Sequence, residues 1–166
     1  MNRIIDRLAF FVDTVLWKVK LRAVRFKMSR YPHIHDSVRL GQNVQLIGPY
    51  DTVAIGEGTY VNDAIIATGN LAAVSIGKNC AIGYRVSIKA VTHDVNNPCQ
   101  NDKGEICHVG RNIAIGDSCW IGDNVFIREG VSIGNNVVVG ANSVVTKSFP
   151  SDVVIAGVPA VIIRKN

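Results

Sequence analysis

The sequence predicts an all-β fold in which short strands stack as a solenoid, and three observations carry that expectation. Aliphatic residues recur every six positions, in unbroken phase through Ile115, Ile121, Ile127, Ile133, Val139 and Val145. The same register holds at Leu40 and Leu46, at Ile55, Val61 and Ala67, at Ile76, Ile82 and Ile88, and again at Val109; nine of these fifteen aliphatics are followed directly by Gly, from Gly41 to Gly140. The composition, 48% apolar with 7% aromatic residues and 15 Gly in 166 residues, suits many short strands joined by tight turns. A chain of this length suits one domain with a single continuous core.

Residues 1–36 stand apart as an amphipathic helical cap. Residues 1–30 hold eight Lys/Arg against two Asp, whereas the rest of the chain is close to neutral within a net charge of +5. Trp17, Leu21, Val24 and Met28 follow helical spacing, and Lys18, Arg22 and Arg25 line a neighbouring face. One reading is a helix that covers the first sheet edge of the solenoid. The other is a basic amphipathic helix that makes peripheral contact with anionic lipid. The apolar run from Leu8 to Val12 is too short to span a bilayer and is flanked by Asp6, Arg7 and Asp13.

Residues 37–150 form the repeating body. Four positions after each aliphatic comes a second inward residue, such as Thr59, Cys80, Val86, Thr92, Cys119, Val125, Val131, Val137 or Ser143. A period of six is neither the 3.6 of a helix nor the 2 of a bare strand; it describes a strand plus a corner. Gly beside the aliphatic lets the backbone turn or approach closely without a Cβ clash. Like strands then stack about 4.8 Å apart over one core. The rhythm stops at His93 and resumes at Val109, so residues 94–108 are expected to protrude as a loop, and residues 151–166 form a C-terminal tail.

The break in the rhythm places a candidate base. His93 ends the unit Ile88 to His93, and the register points it outward at a corner. Taken alone, a His at a loop boundary reads either as a solvated residue or as a base, since a free imidazole, with a pKa of about 6.5, suits proton transfer near neutral pH. Asp94 either orients His93 or is an ordinary loop carboxylate. Lys147, Arg164 and Lys165 make a basic patch suited to an anionic ligand or to plain solvation, and the chain carries neither a P-loop nor a dinucleotide fingerprint.

Cys99, Cys107 and His108 share the loop with His93, but their spacing does not match a Cys-x2-Cys zinc knuckle, and no metal is expected. Cys80 and Cys119 fall on inward repeat positions as small apolar filler. Four scattered Cys without a secretory signal suggest a reducing, cytoplasmic setting. Nucleic-acid binding is disfavoured, because the basic stretch lacks interleaved aromatics and the repeat body is neutral.

The string IAIGDSCWIGDNVFIREGVSIGNNVVVGANSVVTKSFPSDVVIAGVPAVIIRK resembles the C-terminal half of galactoside and maltose O-acetyltransferases and of O-antigen or capsule acetyltransferases. The resemblance to these hexapeptide-repeat acyltransferases covers residues 40–164. It implies a left-handed parallel β-helix, three units per coil, a homotrimer with active sites between subunits, and acetyl-CoA as donor. The left hand departs from the usual right-handed crossover and comes from the resemblance alone.

By the same resemblance His93 is the general base, upstream of Trp120-Ile121-Gly122, and a hydroxyl of a sugar or polysaccharide unit attacks the thioester directly. Asn62 corresponds to an acceptor-site Asn, with a turn residue as the other reading. Trp120, Asp123, Ala141, Thr146, Lys147 and Arg164 fall on cofactor-binding positions: Ala141 beside the pantetheine arm, Thr146 and Lys147 toward the nucleotide, Arg164 near a phosphate. Asp123 replaces a Ser of the galactoside and maltose enzymes, and a carboxylate cannot donate to an oxyanion, so main-chain N–H groups would have to do so. The alternatives are N-acetylation of an amino sugar and a non-catalytic trimeric binding or scaffold protein. The γ-class carbonic anhydrases also use this coil, but His33, His35, His93 and His108 lack the spacing of their zinc ligands.

Overall fold

The computed structural model describes residues 2–94 and 107–166, which divide into two compact units, residues 1–30 and residues 31–166. The first unit is a single helix, Asn2–Met28. It contains neither Gly nor Pro, and Arg25 and Lys27 complement the partial negative charge of its last turn. Ser29 closes it, its N–H donating to Arg25 O (3.0 Å) and its hydroxyl to Phe26 O (2.8 Å). Pro32 lies just beyond, where it cannot extend the helix.

The second unit is mostly β. Its strands are two to six residues long, and outside the excursion around His93 and the last strand they visit three parallel sheets in rotation, each strand pairing with its counterpart one coil on. Three aliphatic columns result. Ile34, Ile55, Ile76, Ile115, Ile133 and Phe149 stack in the first sheet. Leu40, Val61, Ile82, Ile121, Val139 and Ile155 stack in the second. Leu46, Ile66, Ile88, Ile127 and Val145 stack in the third. Ile66, Ile82, Ile88, Ile121, Ile127 and Ile155 are fully buried; each contributes about 1.5–3 kcal/mol relative to an exposed side chain.

Backbone groups left over at one coil are satisfied by the next, as where Gly77 N donates to Ile115 O (2.8 Å) and Gly83 N to Ile121 O (2.9 Å). Side chains do the same at the corners. Asp117 Oδ1 accepts from Lys78 N, Asn135 Oδ1 from Asp117 N, and Ser151 Oγ from Asn135 N, each at 2.7–2.8 Å. At the next corner Arg85 Nε donates to Asn124 Oδ1 (2.7 Å), and Asn124 Nδ2 donates to Asn142 Oδ1 (3.0 Å) 18 residues further on, one regular coil. Arg85, Asn124 and Asn142 all have φ near +55 to +60°, a conformation Asn tolerates better than most residues.

This corner makes a stability prediction. Asn124→Ala loses both ladder bonds and places a Cβ-bearing residue without a compensating amide at φ +57°, so it should cost about 2 kcal/mol. Asn124→Gly loses the same bonds without the conformational penalty and should be milder by about 1 kcal/mol. Thermal melts of the two variants compare the terms; equal melting points would refute the conformational part.

Three expectations about the repeat are corrected. The third unit of the early coil is carried by Ile66, not Ala67: Ile66 pairs with Leu46 and Ile88, and Ala67 is only half-buried. A shorter step after Val61 shifts the register there. Thr92 and Val109 do not belong to the coil; both are half-buried and pair with each other in a separate antiparallel ribbon. The expected C-terminal tail is strand: Val153–Gly157 pairs in parallel with Val138 and Val139, and Ala160–Lys165 turns back against it.

Candidate active site

The chain leaves the coil at Ala90, whose N–H still donates to Ala67 O (2.8 Å), and returns at Arg111, whose N–H donates to Ala90 O (2.9 Å). That bond lets the coil continue, so the intervening residues lengthen one coil step to 39 residues without disturbing the stack. Strands Val91–His93 and His108–Gly110 form the base of the excursion as an antiparallel ribbon at the corner between the third and first sheets. His93 is exposed at its end and sits opposite His108, their ring centroids 4.8 Å apart. The greater part of the expected loop 94–108, Cys99 included, lies outside the described residues.

A groove of about 570 Å³ opens beside this ribbon, lined by His93, Asp94, Phe126, Arg128, Glu129 and Thr146, with Arg111 at its edge. Phe126 and Arg128 flank the buried Ile127 of the third sheet, and Thr146 follows Val145 one coil on. The Glu129 carboxylate is buried and accepts from two groups of Arg128, Nε (3.2 Å) and an Nη. Hydrogen bonding from Arg128 holds the Glu129 carboxyl below its usual range against the opposing effect of burial, with smaller help from the charges of Arg128 and Arg111.

The residues singled out from sequence do not all converge. His93, Asp94 and Thr146 share the groove, and Lys147 follows Thr146 with its Nζ 5.7 Å from the centre of the Phe149 ring. Asn62 lies in a second groove of about 390 Å³ with Tyr60 and Arg39, whose guanidinium stands 5.6 Å over the Tyr60 ring. Trp120 is exposed on the second sheet between Ala81 and Val138. The Asp123 carboxylate accepts from Tyr84 N (2.8 Å), the corner role that Asp117 plays elsewhere.

Ala141 sits against Gly122, where an added Cβ would lie 2.7 Å from Ala141 N. Arg164 is exposed on the last strand and donates to Lys165 O (3.0 Å). The buried thiols Cys80 and Cys119 donate to the carbonyls of Gly116 and Gly134 (3.1 Å each), and the bond with Cys80 together with burial pushes the Cys119 thiol up. Among the described residues no group of three or more His, Cys, Asp or Glu is placed to hold a metal ion.

Arg111, Phe126, Arg128 and Glu129 were not singled out from sequence, although a signal for them exists. In the first and second sheets the core aliphatic is followed by Gly in every unit from Leu40-Gly41 to Val139-Gly140 except Val61-Asn62. In the third sheet it never is: Ile47, Ala67, Lys89, Arg128 and Thr146 occupy that position. Two corners are therefore tight, and the third projects side chains.

The Arg128–Glu129 pair predicts a pH-dependent mutant. With its carboxyl held low, Glu129 contributes stability above the unfolded carboxylate pKa of about 4.3 and loses it as pH falls through the lower folded value. Arg128→Met leaves a buried carboxylate whose side chain is 7% exposed, whereas the Arg128 side chain is 44% exposed and screened by solvent. The expected loss is on the order of 1 kcal/mol at neutral pH. It should shrink as pH falls below about 4, because protonation removes the unpaired charge. Urea melts at neutral and acidic pH check this; a loss independent of pH would contradict it.

The comparisons with known proteins agree with this architecture. The sequence model described as "Bacterial transferase hexapeptide (six repeats)" matches residues 107–147, and the "Hexapeptide repeat of succinyl-transferase" matches residues 73–92. A Dictyostelium discoideum protein named as an acetyltransferase is 40% identical over 113 residues, 68% of this chain; the alignment spans 57% of that relative's length. The solved maltose O-acetyltransferase of Clostridium difficile 630 is similar at 32% identity and a TM-score of 0.70, over 78% of this chain and 67% of that one. A galactoside acetyltransferase solved with coenzyme A is similar at 30% identity and a TM-score of 0.65, over 89% of this chain and 81% of that one. With its three aliphatic columns and its interrupted six-residue rhythm, the chain belongs to the hexapeptide-repeat acyltransferases.

Proposed function

We propose that this protein transfers the acetyl group of acetyl-CoA to a hydroxyl of a sugar or polysaccharide unit. The observation that carries the reading is an exposed imidazole, His93, that lines a groove and is held there by a two-stranded ribbon. The similar maltose and galactoside enzymes supply the substrate class.

In the proposed reaction His93 accepts the hydroxyl proton as the acceptor oxygen bonds to the thioester carbonyl carbon. The tetrahedral adduct collapses with loss of the CoA thiolate, and the imidazolium returns its proton to that sulfur. No covalent enzyme intermediate is needed, because holding donor and acceptor together supplies several kcal/mol of the barrier reduction. Asp123 is excluded as an oxyanion donor by its chemistry and is occupied by Tyr84 N; main-chain N–H groups are proposed instead.

The proposed assembly is a homotrimer of left-handed coils. It would set the Asn62 groove of one subunit against the His93 groove of the next, and the separation of these grooves within one chain favours that arrangement. Trp120, Ala141, Thr146, Lys147 and Arg164 then form the donor site across several corners rather than one pocket. The free buried thiols Cys80 and Cys119 favour a reducing, cytoplasmic compartment.

The deciding experiment incubates the protein with labelled acetyl-CoA and a panel of nucleotide sugars, lipid-linked glycans and free oligosaccharides. Mass spectrometry should find an O-acetylated product. Label on an amino sugar's nitrogen would favour N-acetylation, and no CoA binding by calorimetry would overturn the enzymatic reading.

A further inference from the structure

The helix Asn2–Met28 carries an apolar face that the Trp17 stripe does not include. At 3.6 residues per turn, Leu8, Phe11, Val12, Val15, Val19 and Phe26 fall within an arc of about 100°. All six are exposed, including Leu8 at 58%, Phe11 at 64% and Phe26 at 71%. On the other stripe Val24 and Met28 are half-buried, although Trp17 is exposed.

Charge is arranged around this face. Arg7, Lys18 and Arg25 lie along one border, Arg22 falls inside that edge of the arc between Phe11 and Val15, Lys20 and Lys27 lie beyond the other edge, and the helix's two acids, Asp6 and Asp13, lie on the opposite side. From this arrangement we infer that the helix lies flat on an anionic phospholipid surface, its Phe11–Phe26 face in the acyl boundary and its basic borders at the headgroups.

Three features select that occupant. The helix is not long and apolar enough to cross a membrane, yet its 27 residues extend roughly 40 Å along a surface. Basic residues on both borders of an apolar face let the stems of Lys and Arg cover hydrocarbon while their charged ends meet phosphate. A second copy of the same helix fits poorly, since face-to-face pairing in either direction sets basic border against basic border. The inference is independent of acetyl transfer.

The test is sedimentation of the full-length protein with vesicles of phosphatidylglycerol mixed with phosphatidylcholine, or of phosphatidylcholine alone, at low and high salt. The protein should pellet with the anionic vesicles, less so at high salt. Arg22→Gln with Arg25→Gln should weaken binding about thirtyfold, at roughly fivefold for each charge lost at the surface. Phe11→Ser with Val15→Ser should weaken it about tenfold or more, whereas Asp13→Asn should not weaken it.

Circular dichroism and light scattering without vesicles control for helix loss and assembly. The inference is overturned if the wild type stays in the supernatant with both vesicle types, or if the Phe11/Val15 variant binds as the wild type does. It is equally overturned if that variant keeps its helix but breaks an oligomer in the absence of lipid, since the face would then be covered by another copy.

Discussion

Replacing His93 with Ala should lower kcat by two orders of magnitude or more, with the KM for acetyl-CoA and the melting temperature little changed. General base catalysis by a positioned side chain is worth about a hundred- to ten-thousandfold, and the exposed His93 contributes no core contacts whose loss would unfold the coil. His108 is the necessary comparison, because its ring lies 4.8 Å from that of His93 on the facing strand. His108→Ala should cost less, acting through the position of its neighbour. Steady-state kinetics of both variants decide the matter. If His108→Ala proves the more damaging, or His93→Ala turns over at near wild-type rate, the base has been assigned to the wrong imidazole.

Ile121→Ala should be the most destabilising of the variants described here, by about 3–4 kcal/mol. The side chain is fully buried in the middle of the second column, paired in register with Ile82 before it and Val139 after it. A stacked coil is stabilised by contacts between neighbouring turns, so a cavity at this point weakens the coupling of the two halves it joins. Against a typical total of about 5–15 kcal/mol the loss is large. Ile121→Val, which keeps the β-branched shape, should cost about 1 kcal/mol. Denaturant melts with unchanged m-values check the pair; a loss below about 1 kcal/mol for the Ala variant would mean that the column carries less of the stability than its burial implies.

Much of the coil was legible because its determinants are local. An aliphatic every six residues with Gly beside it specifies a short strand and a tight corner, and Ile55, Ile76, Ile82, Ile115 and Ile121 sit where that period puts them. The inward positions four residues on were equally plain, from Thr59 and Cys80 to Ser143, and all but Thr92 are buried. The break in the rhythm at His93 marked the excursion but misplaced its start: the chain leaves the stack at Ala90, and Val91–His93 belongs to the ribbon and not to a coil unit.

What stayed hidden depends on partners far away in sequence. The Ala67 register misled because a shortened step looks like a continued one until Ile66 is seen between Leu46 and Ile88. Residues 151–166 read as a tail because Ile155 has its pairing partner, Val139, 16 residues back and breaks the six-residue phase. On the helix, the Trp17 stripe and the Phe11 face are both apolar in sequence, and the half-burial of Val24 and Met28 on the first, beside an exposed Trp17, appears only in the structure.

By itself, then, the sequence determined a stack of short strands, most of the residues of its core and the region where one imidazole leaves it, all of which follow from spacing along the chain, while three units per coil came from the resemblance. The tertiary structure decided what faces that imidazole: the Arg128–Glu129 pair, Phe126 and Thr146 reach the groove from coils brought together only by stacking. It also decided that Asp123 serves the corner beside Tyr84 and that Asn62 opens onto a different groove. The physical reason is that period reports the geometry of a single turn, whereas a site is assembled from side chains on successive turns, whose meeting is set by parallel register and not by their distance in sequence.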